Sequence, residues 1–483
     1  MRELFVDNFA GGGGASTGIE WAIGRDVDIA VNHSRAALAC HKANHPDTLH
    51  LCEDVFHVDP VAVCAGRPVG GAWFSPDCRD HSRAKGKALR NSKSRALAWV
   101  AVKWARTVKP RVIFLENVEE WLGWGPVDDE GQRIAARAGE TFRQWLGQLH
   151  ALGYVVEWRS LVAADYGTPT SRKRLFLIAR CDGQPIVWPE PTHGPGRLPY
   201  RTAAEIVDWS IPCPSIFTRK KPLAEPTLRR IAVGIRRYVL DSARPFIVPV
   251  THPRDARVHS LDEPLRTVTA AHRGELALVA PTLIQTGYGE REGQAPRVLD
   301  LGQPLGTVVA GGSKHGLVAA FLTKHYGGVI GHCVDRVLGT ITTQDHHAVT
   351  TATLAAERVG HAAEVRALLE RFQPVSKGPQ RDIFESEPDY TVVVNGERYV
   401  IADIGMRMLQ PRELFCAQGF PDDYTRIPWK LGYWPADKHS ADVRGAIAEQ
   451  CPDGPRYKAL GNSMAVNVMR WIGERIRTQL SGV

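Results

Sequence analysis

Reactive side chains are densest in WFSPDCRDHSRAKGKALRNSKSR, Trp73 to Arg95. Cys78 ends a short apolar run, behind Pro76 and Asp77. Arg79, Ser82, Arg83, Lys85, Lys87, Arg90, Lys93 and Arg95 follow it. A cysteine is nucleophilic as its thiolate, and nearby cations favour that form over the ordinary thiol. The pattern fits a buried small hydrophobe or a nucleophile placed beside an anionic ligand. Glu116 closes the apolar run of VIFLENVEEW. A carboxylate at a strand's carboxyl end is either an acid/base group or a salt-bridge residue. In TPTSRKRLFLIAR, Arg172 and Arg174 are two apart, on one face of a strand start. Two guanidiniums there can hold a carboxylate, a carbonyl or a phosphate, or form an ordinary basic edge.

Two further segments suit a bound cofactor. DNFAGGGGASTG joins a strand to a helix, where glycines admit a ligand close to the backbone and the helix start favours negative charge. Its spacing is not that of the dinucleotide fingerprint, and a tight strand–helix turn would read the same. ALGNSMAVNV places Asn462 and Ser463 at an expected helix start, where a plain N-cap would also fit. His41 and His45 are four apart, which predicts a pair on a helix surface and no metal site.

These groups need a scaffold. Apolar runs at Glu3–Phe9, Val27–Asn32, 49–55, 70–75, Arg111–Val118, 154–162 and 173–180 alternate with helical patterns, including one over Ser94–Thr107. That alternation predicts a parallel α/β sheet covered on both faces, with ligands at the strands' carboxyl ends. A Pro- and Gly-rich stretch after Ala179 reads as an exit linker. Three domains are expected: 1–181, 182–405 and a helical 406–483 that packs back on the first. The middle region carries a weak repeat of about forty residues. RVHSLDEPLRTVTAAHRGELALVAPTLI matches RVLDLGQPLGTVVAGGSKHGLVAAFLT, and CVDRVLGTITTQDHHAVTTATL follows as a shorter copy. Tandem hairpin units would produce this pattern.

Bulk properties narrow the class. The 483 residues are 43% hydrophobic, enough for a large core, and the net charge of +8 favours an anionic partner such as nucleic acid. None of the nine cysteines forms a CxxC pair. No secretory signal or membrane-length apolar run is visible, which predicts a reduced, cytoplasmic protein.

Taken in order, DNFAGGGG, the Pro-x-Cys with its downstream HS, ENV, SRKRLF, RELFCAQGFPDDY and YKALGNSMAVNV resemble the successive motifs of the DNA (cytosine-5) methyltransferase family. The resemblance covers about 3–180 and 408–476. It implies a Rossmann-like class I methyltransferase sheet of α/β class with a second, β-rich target recognition domain at about 182–405. It also implies S-adenosylmethionine as cofactor, and double-stranded DNA as partner for an enzyme that acts as a monomer with no metal. Attack by Cys78 at cytosine C6 would make C5 nucleophilic, splitting one hard step into easier ones. Glu116 would hold N3 and the exocyclic amine, Arg174 the O2 side, and Arg172 the catalytic loop or a phosphate. Phe9, Gly11, Gly12, Gly13 and Pro76 would line the cofactor, Asp54 would meet its adenine amine, and Asn462 and Ser463 would close over it. Arg79, Ser82, Arg83, Lys85 and Lys87 would contact DNA around a flipped-out base.

Three positions depart from that family's pattern. Asn32 stands where an acid usually holds the ribose hydroxyls, and lacks its charge-assisted strength. Asp77 and Arg79 flank Cys78 where uncharged residues are usual; the first disfavours a thiolate and the second favours it. Two alternatives share the motifs: an RNA (tRNA) cytosine-5 methyltransferase, and a DNA-binding relative with weak catalysis. The insertion at 425–454 suggests no role.

Overall fold

The computed structural model describes residues 2–77, 80–81, 92–236 and 240, seven strands between 247 and 355, residues 360–372, 390–394 and 397–424, and 456, 459–460 and 463–480. Cys78, Arg79, Ser82, Arg83, Lys85, Lys87 and Asn462 lie outside the described residues, as does the 425–454 insertion. The chain divides into two units, one of Met1–Tyr200 with Phe415–Val483 and one of Arg201–Leu414.

The first unit is built on seven strands: β1 (Leu4–Asn8), β2 (Ile29–Val31), β3 (Leu49–Leu51), β4 (Val69–Phe74), β5 (Val112–Asn117), β6 (Val155–Val162) and β7 (Lys173–Arg180). Their order is β3-β2-β1-β4-β5-β7-β6, the doubly wound arrangement whose order reverses beside β1. Strands β1 to β5 are parallel, but β7 runs antiparallel to both β5 and β6, so the all-parallel expectation needs correcting there. A parallel return needs a crossover of a dozen or more residues. Only a 3₁₀ turn, Ala163–Tyr166, and a short loop join β6 to β7, so the chain comes back antiparallel.

Among the described residues, the helices up to Ala151 are α1 (Gly14–Ile23), α2 (Arg35–Asn44), α3 (Pro60–Cys64), α4 (Ser92–Ala96), α5 (Trp99–Thr107) and α6 (Glu140–Ala151). The single helix expected over 94–107 is thus two, separated at Leu97 and Ala98, whose carbonyl accepts the Trp145 indole N–H. Strand side chains alternate faces. Leu4, Val6, Ile113 and Leu115 therefore join one core with Val100, Ala101, Trp104 and Trp145. Phe5, Phe114, Phe176 and Ile178 join the other, with Ile19 of α1 and Met464, Val468, Met469 and Ile472 at the C-terminus. The C-terminal helix, Val466–Leu480, lies so close to α1 that a Cβ on Gly18 would sit 2.7 Å from the Met469 Cβ. Glycine inside a helix costs about 1 kcal/mol relative to alanine; here the close packing of two helices requires it.

Among the described residues, the second unit holds one nine-stranded sheet formed by 247–249, 257–259, 276–285, 298–299, 315–324, 329–332, 347–355, 391–394 and 397–408. The long strands that end the three repeat copies, Leu276–Gln285, His315–Lys324 and His347–Ala355, are successive antiparallel neighbours. Pairing among these described strands runs between copies, which differs from self-contained hairpins. One long strand per copy leaves each ladder to be completed by the next copy.

Candidate active site

The carboxyl ends of β1, β4 and β5 lie side by side in the sheet, and the polar residues converge there. Glu116, next to last in β5, is opposite Phe176 of β7. Arg174 is two residues from Phe176 and so shares its face, at a diagonal that long side chains span. The Arg174 Nε lies 3.2 Å from Glu116 Oε1, with both side chains nearly buried at 13% and 11% exposure. Arg174 also donates to the Lys173 carbonyl at 2.7 Å, which fixes the guanidinium from a second side. Arg172 is buried just ahead of β7, and its carbonyl accepts the Ala163 N–H. It therefore sits in the turn before the strand and not at the strand start itself.

The loop leaving β4 is tied down on both sides. Asn117 Nδ2 donates to the Pro76 carbonyl at 3.3 Å, and Ser75 Oγ donates to the Phe9 carbonyl at 3.4 Å. Pro76 is thereby joined to the end of β5, and its neighbour Ser75 to the Gly-rich turn. Where the chain is next described, Asp80 and His81 are buried, and the Arg133 guanidinium holds both of their carbonyls. Behind β5, Trp121 packs edge-on against Trp145 and Phe142 at 5.1 Å, supporting the 3₁₀ segment Glu119–Gly123 that follows Glu116.

The Gly-rich turn has two different sides. Phe9 and Gly11 have φ of 69° and 53°, in the left-handed region. Among the described residues, a Cβ on Gly11 would meet only the Phe9 carbonyl at 3.7 Å, so they leave this edge of the turn open. A Cβ on Gly13 would lie 2.1 Å from Tyr424 Oη, and one on Gly14 would lie 2.1 Å from Ser463 Oγ. Gly12 faces Ala459 at 3.2 Å. Glycine at 12, 13 and 14 is thus required by the C-terminal segment that packs on the turn. Gly11 is the one of these that fits a ligand cradle. Ser463 Oγ is buried and makes no hydrogen bond among the described residues. The helix begins three residues later, at Val466, so Ser463 is not its N-cap. An open left-handed turn beside an unpartnered hydroxyl is compatible with a small-molecule cofactor at this strand end.

Known proteins resemble the first part of the chain. Residues 4–206 match the family model described as C-5 cytosine-specific DNA methylase. The chain is 32% identical over 199 residues to the Type II methyltransferase M.XorII of Xanthomonas oryzae pv. oryzae, covering 40% of this chain and 44% of that one. It is 28% identical over 198 residues to the Type II methyltransferase M.AgeI of Thalassovita gelatinovora, covering 40% and 43%. These matches span less than half the length of either relative. The S. pombe Dnmt2 methyltransferase structure superposes with a TM-score of 0.47 at 12% identity, covering 99% of each chain. Over residues 4–206, less than half of the chain, the protein is similar to the C-5 cytosine-specific DNA methylase family.

The remaining candidates have clear surroundings. Asn32 directly follows β2, and its Oδ1 accepts the Ser34 N–H at 2.8 Å, shaping the turn into α2. Asp54 accepts the Phe56 N–H at 3.2 Å and pairs with Lys93 at 2.8 Å. The Lys93 hydrogen bond holds its carboxyl below the ordinary value. Thr218–Lys221 is exposed, whereas Arg236 is held by the Leu369 carbonyl and Tyr390 within its own unit.

A buried polar layer that the sequence did not announce lies behind the Gly-rich turn. His41 and His45 are not on a helix surface, since both are buried. His41 Nε2 lies 2.9 Å from Ser16 Oγ, which donates to Asp7 Oδ2 at 2.7 Å, and His41 Nδ1 lies 2.9 Å from His50 Nε2. Burial pushes the Asp7 carboxyl up to about 7 against the opposing Ser16 bond. Burial also drives His41 well below its ordinary value, and His50 down to about 4. Tyr424 completes the layer, donating to the Gly12 carbonyl at 2.7 Å. Its signal in the sequence was faint: a tyrosine about four hundred residues from the turn it supports. Asn8 beside Asp7 is buried with neither amide atom hydrogen-bonded among the described residues.

Proposed function

We propose that the protein is a DNA cytosine-5 methyltransferase that acts on a cytosine flipped out of a specific duplex sequence. The observation that carries this reading is the Glu116–Arg174 pair at the β5 rim, joined through Asn117 to the loop that leads to Cys78. Arg174 orients the Glu116 carboxyl so that it holds a proton at cytosine N3 and accepts from the exocyclic amine. Addition of the Cys78 thiolate to C6 forms a C–S bond and moves the C5–C6 π pair toward C5. Glu116 is placed to stabilise that shift, since charge develops at N3 beside it. Once C5 carries the transferred methyl group, loss of its proton to a base breaks the C–S bond, expels the thiolate and restores the aromatic ring.

S-adenosylmethionine, when bound, supplies an electrophilic methyl group at a sulfonium. Phe9, Gly11, Pro76 and Ser463 would hold it at the open side of the turn, and Asp54 would meet its adenine amine. Asn32, already shaping the turn into α2, would offer the ribose only neutral hydrogen bonds. The cationic run after Cys78 and the exposed Thr218–Lys221 would neutralise phosphates, giving affinity without sequence information. Residues 182–405 would read base edges as a target recognition domain.

Expression in a host without cytosine methylation, followed by bisulfite sequencing, tests this reading and reports the target sequence. Protected cytosines are expected with the wild type and none with Cys78→Ala. Soluble wild-type protein that protects no cytosine, or methylates tRNA and not duplex DNA, overturns it.

A further inference from the structure

The proposed chemistry leaves one group of side chains behind the Gly-rich turn unused. His45, just past α2, is 1% exposed. Its Nε2 lies 3.1 Å from Thr17 Oγ1 and 3.1 Å from Tyr424 Oη. Each hydroxyl has one proton to give. Thr17 Oγ1 donates to the Gly13 carbonyl at 2.8 Å, and Tyr424 Oη to the Gly12 carbonyl at 2.7 Å. With both protons engaged, the two hydroxyls turn lone pairs toward Nε2, so Nε2 is the protonated nitrogen. A neutral imidazole then has its lone pair on Nδ1.

That lone pair faces two carboxylates. Nδ1 is 3.0 Å from Glu20 Oε2 and 3.7 Å from Asp26 Oδ1, yet it is buried and makes no hydrogen bond among the described residues. Three electron-rich atoms pointed at one another repel unless a second proton on Nδ1 pairs the imidazole with Glu20 or a cation lies between them. The nearest arginine does not supply it: Arg25 donates to the Asp28 carboxylate and the Asp26 carbonyl. All three donor atoms lie within 4.8 Å of one another. Ligands at about 2.0–2.2 Å from a tetrahedral ion are separated by roughly 3.3 Å, so the spacing suits a common ion.

We propose that Glu20, Asp26 and His45 form a binding site for a divalent transition-metal cation of the zinc class, with a further position open to water. One imidazole and two carboxylates suit such a borderline ion, and the partly exposed carboxylates provide its entry path. The ion would join the end of α1, the loop before β2 and the end of α2. It would also fix the imidazole tautomer that bonds Thr17 and Tyr424, and so brace the turn at Gly12 and Gly13. This site does not depend on the methyl-transfer reading.

The test uses the full chain, freed of metal with a chelator and titrated with Co2+ as a spectroscopic probe and with Zn2+. One equivalent is expected, with the absorption bands of cobalt bound to nitrogen and oxygen. Glu20→Gln and Asp26→Asn remove charge with little change of volume. Each should weaken binding at least tenfold while far-UV circular dichroism stays unchanged. His57→Ala, an exposed histidine, should bind as the wild type does. Two results overturn the site: no stoichiometric binding by the wild type, or binding undiminished in both carboxamide variants. A third does the same, namely metal-free protein in which nitrogen-15 NMR shows both His45 nitrogens protonated and no cobalt uptake.

Discussion

Strands β1 and β5 both finish in an acid followed by asparagine, Asp7–Asn8 and Glu116–Asn117, and the two pairs meet opposite fates. At β5 the acid reaches the rim, where a guanidinium lies 3.2 Å away, and the asparagine ties in the neighbouring loop. At β1 the acid turns inward to a serine hydroxyl, and burial pushes it up to about 7. A carboxyl next to a fixed cation can serve as a charged tool. A carboxyl supplied with only a hydroxyl is held near neutrality as part of the frame. Sequence context decides which occurs: Arg174 stands across the ladder from Glu116, while α1 offers Asp7 only small residues.

Replacing the two acids is the most severe test of that contrast. Glu116→Gln should lower kcat about 10²–10⁴-fold, the usual range for losing a positioned acid/base group, with little change in stability. Asp7→Asn should keep turnover within about tenfold, since the amide oxygen can still accept from Ser16. Single-turnover methylation of a duplex containing the target sequence measures both. Equal losses in the two variants would break the comparison.

The second test reads Asp7 through pH. Its folded value, about 7, is above its ordinary 3.8, so the folded state binds more protons between those limits. Stability from this group is therefore full below pH 4 and is lost as pH rises to 7. The advantage of Asp7→Asn over wild type should grow across that window, by at most about 4 kcal/mol. His41 and His50 lose stability in the opposite direction, as pH falls, but both proteins carry them and they cancel in the difference. Urea unfolding at pH 5 and pH 7.5 measures it; a pH-independent difference would show that Asp7 takes up no proton on folding in that window.

The rim was largely legible in the sequence, because strand ends and helix starts are local signals. An apolar run ending in Glu116, an arginine pair near the start of β7 and a glycine-rich turn each announce themselves within a dozen residues. What failed to show depends on distant chain segments. Tyr424 and Ser463 fill the space left by Gly13 and Gly14 from the far end of the sequence. His41 and His45 read as a surface pair because helical spacing gives their side of α2 but not what covers it. The reversal at β7 depended on a connection too short for a helix, which strand patterns alone do not weigh.

The smallest effects, in the two asparagines, should differ in sign. Asn117→Ala removes the hydrogen bond that holds the Pro76 carbonyl. A typical bond of this kind contributes about 1 kcal/mol, and loosening the loop by that amount should lower kcat about five- to tenfold. Asn8 is buried with both amide atoms unpaired among the described residues. Burying such a group costs about 1–3 kcal/mol, so Asn8→Leu, of similar size, should stabilise the cofactor-free protein by about 1 kcal/mol. Thermal unfolding of the two variants beside wild type gives both signs at once. Destabilisation by Asn8→Leu would show that the β1 amide has a partner as definite as the one at β5, and the two strand ends would then differ in their acids alone.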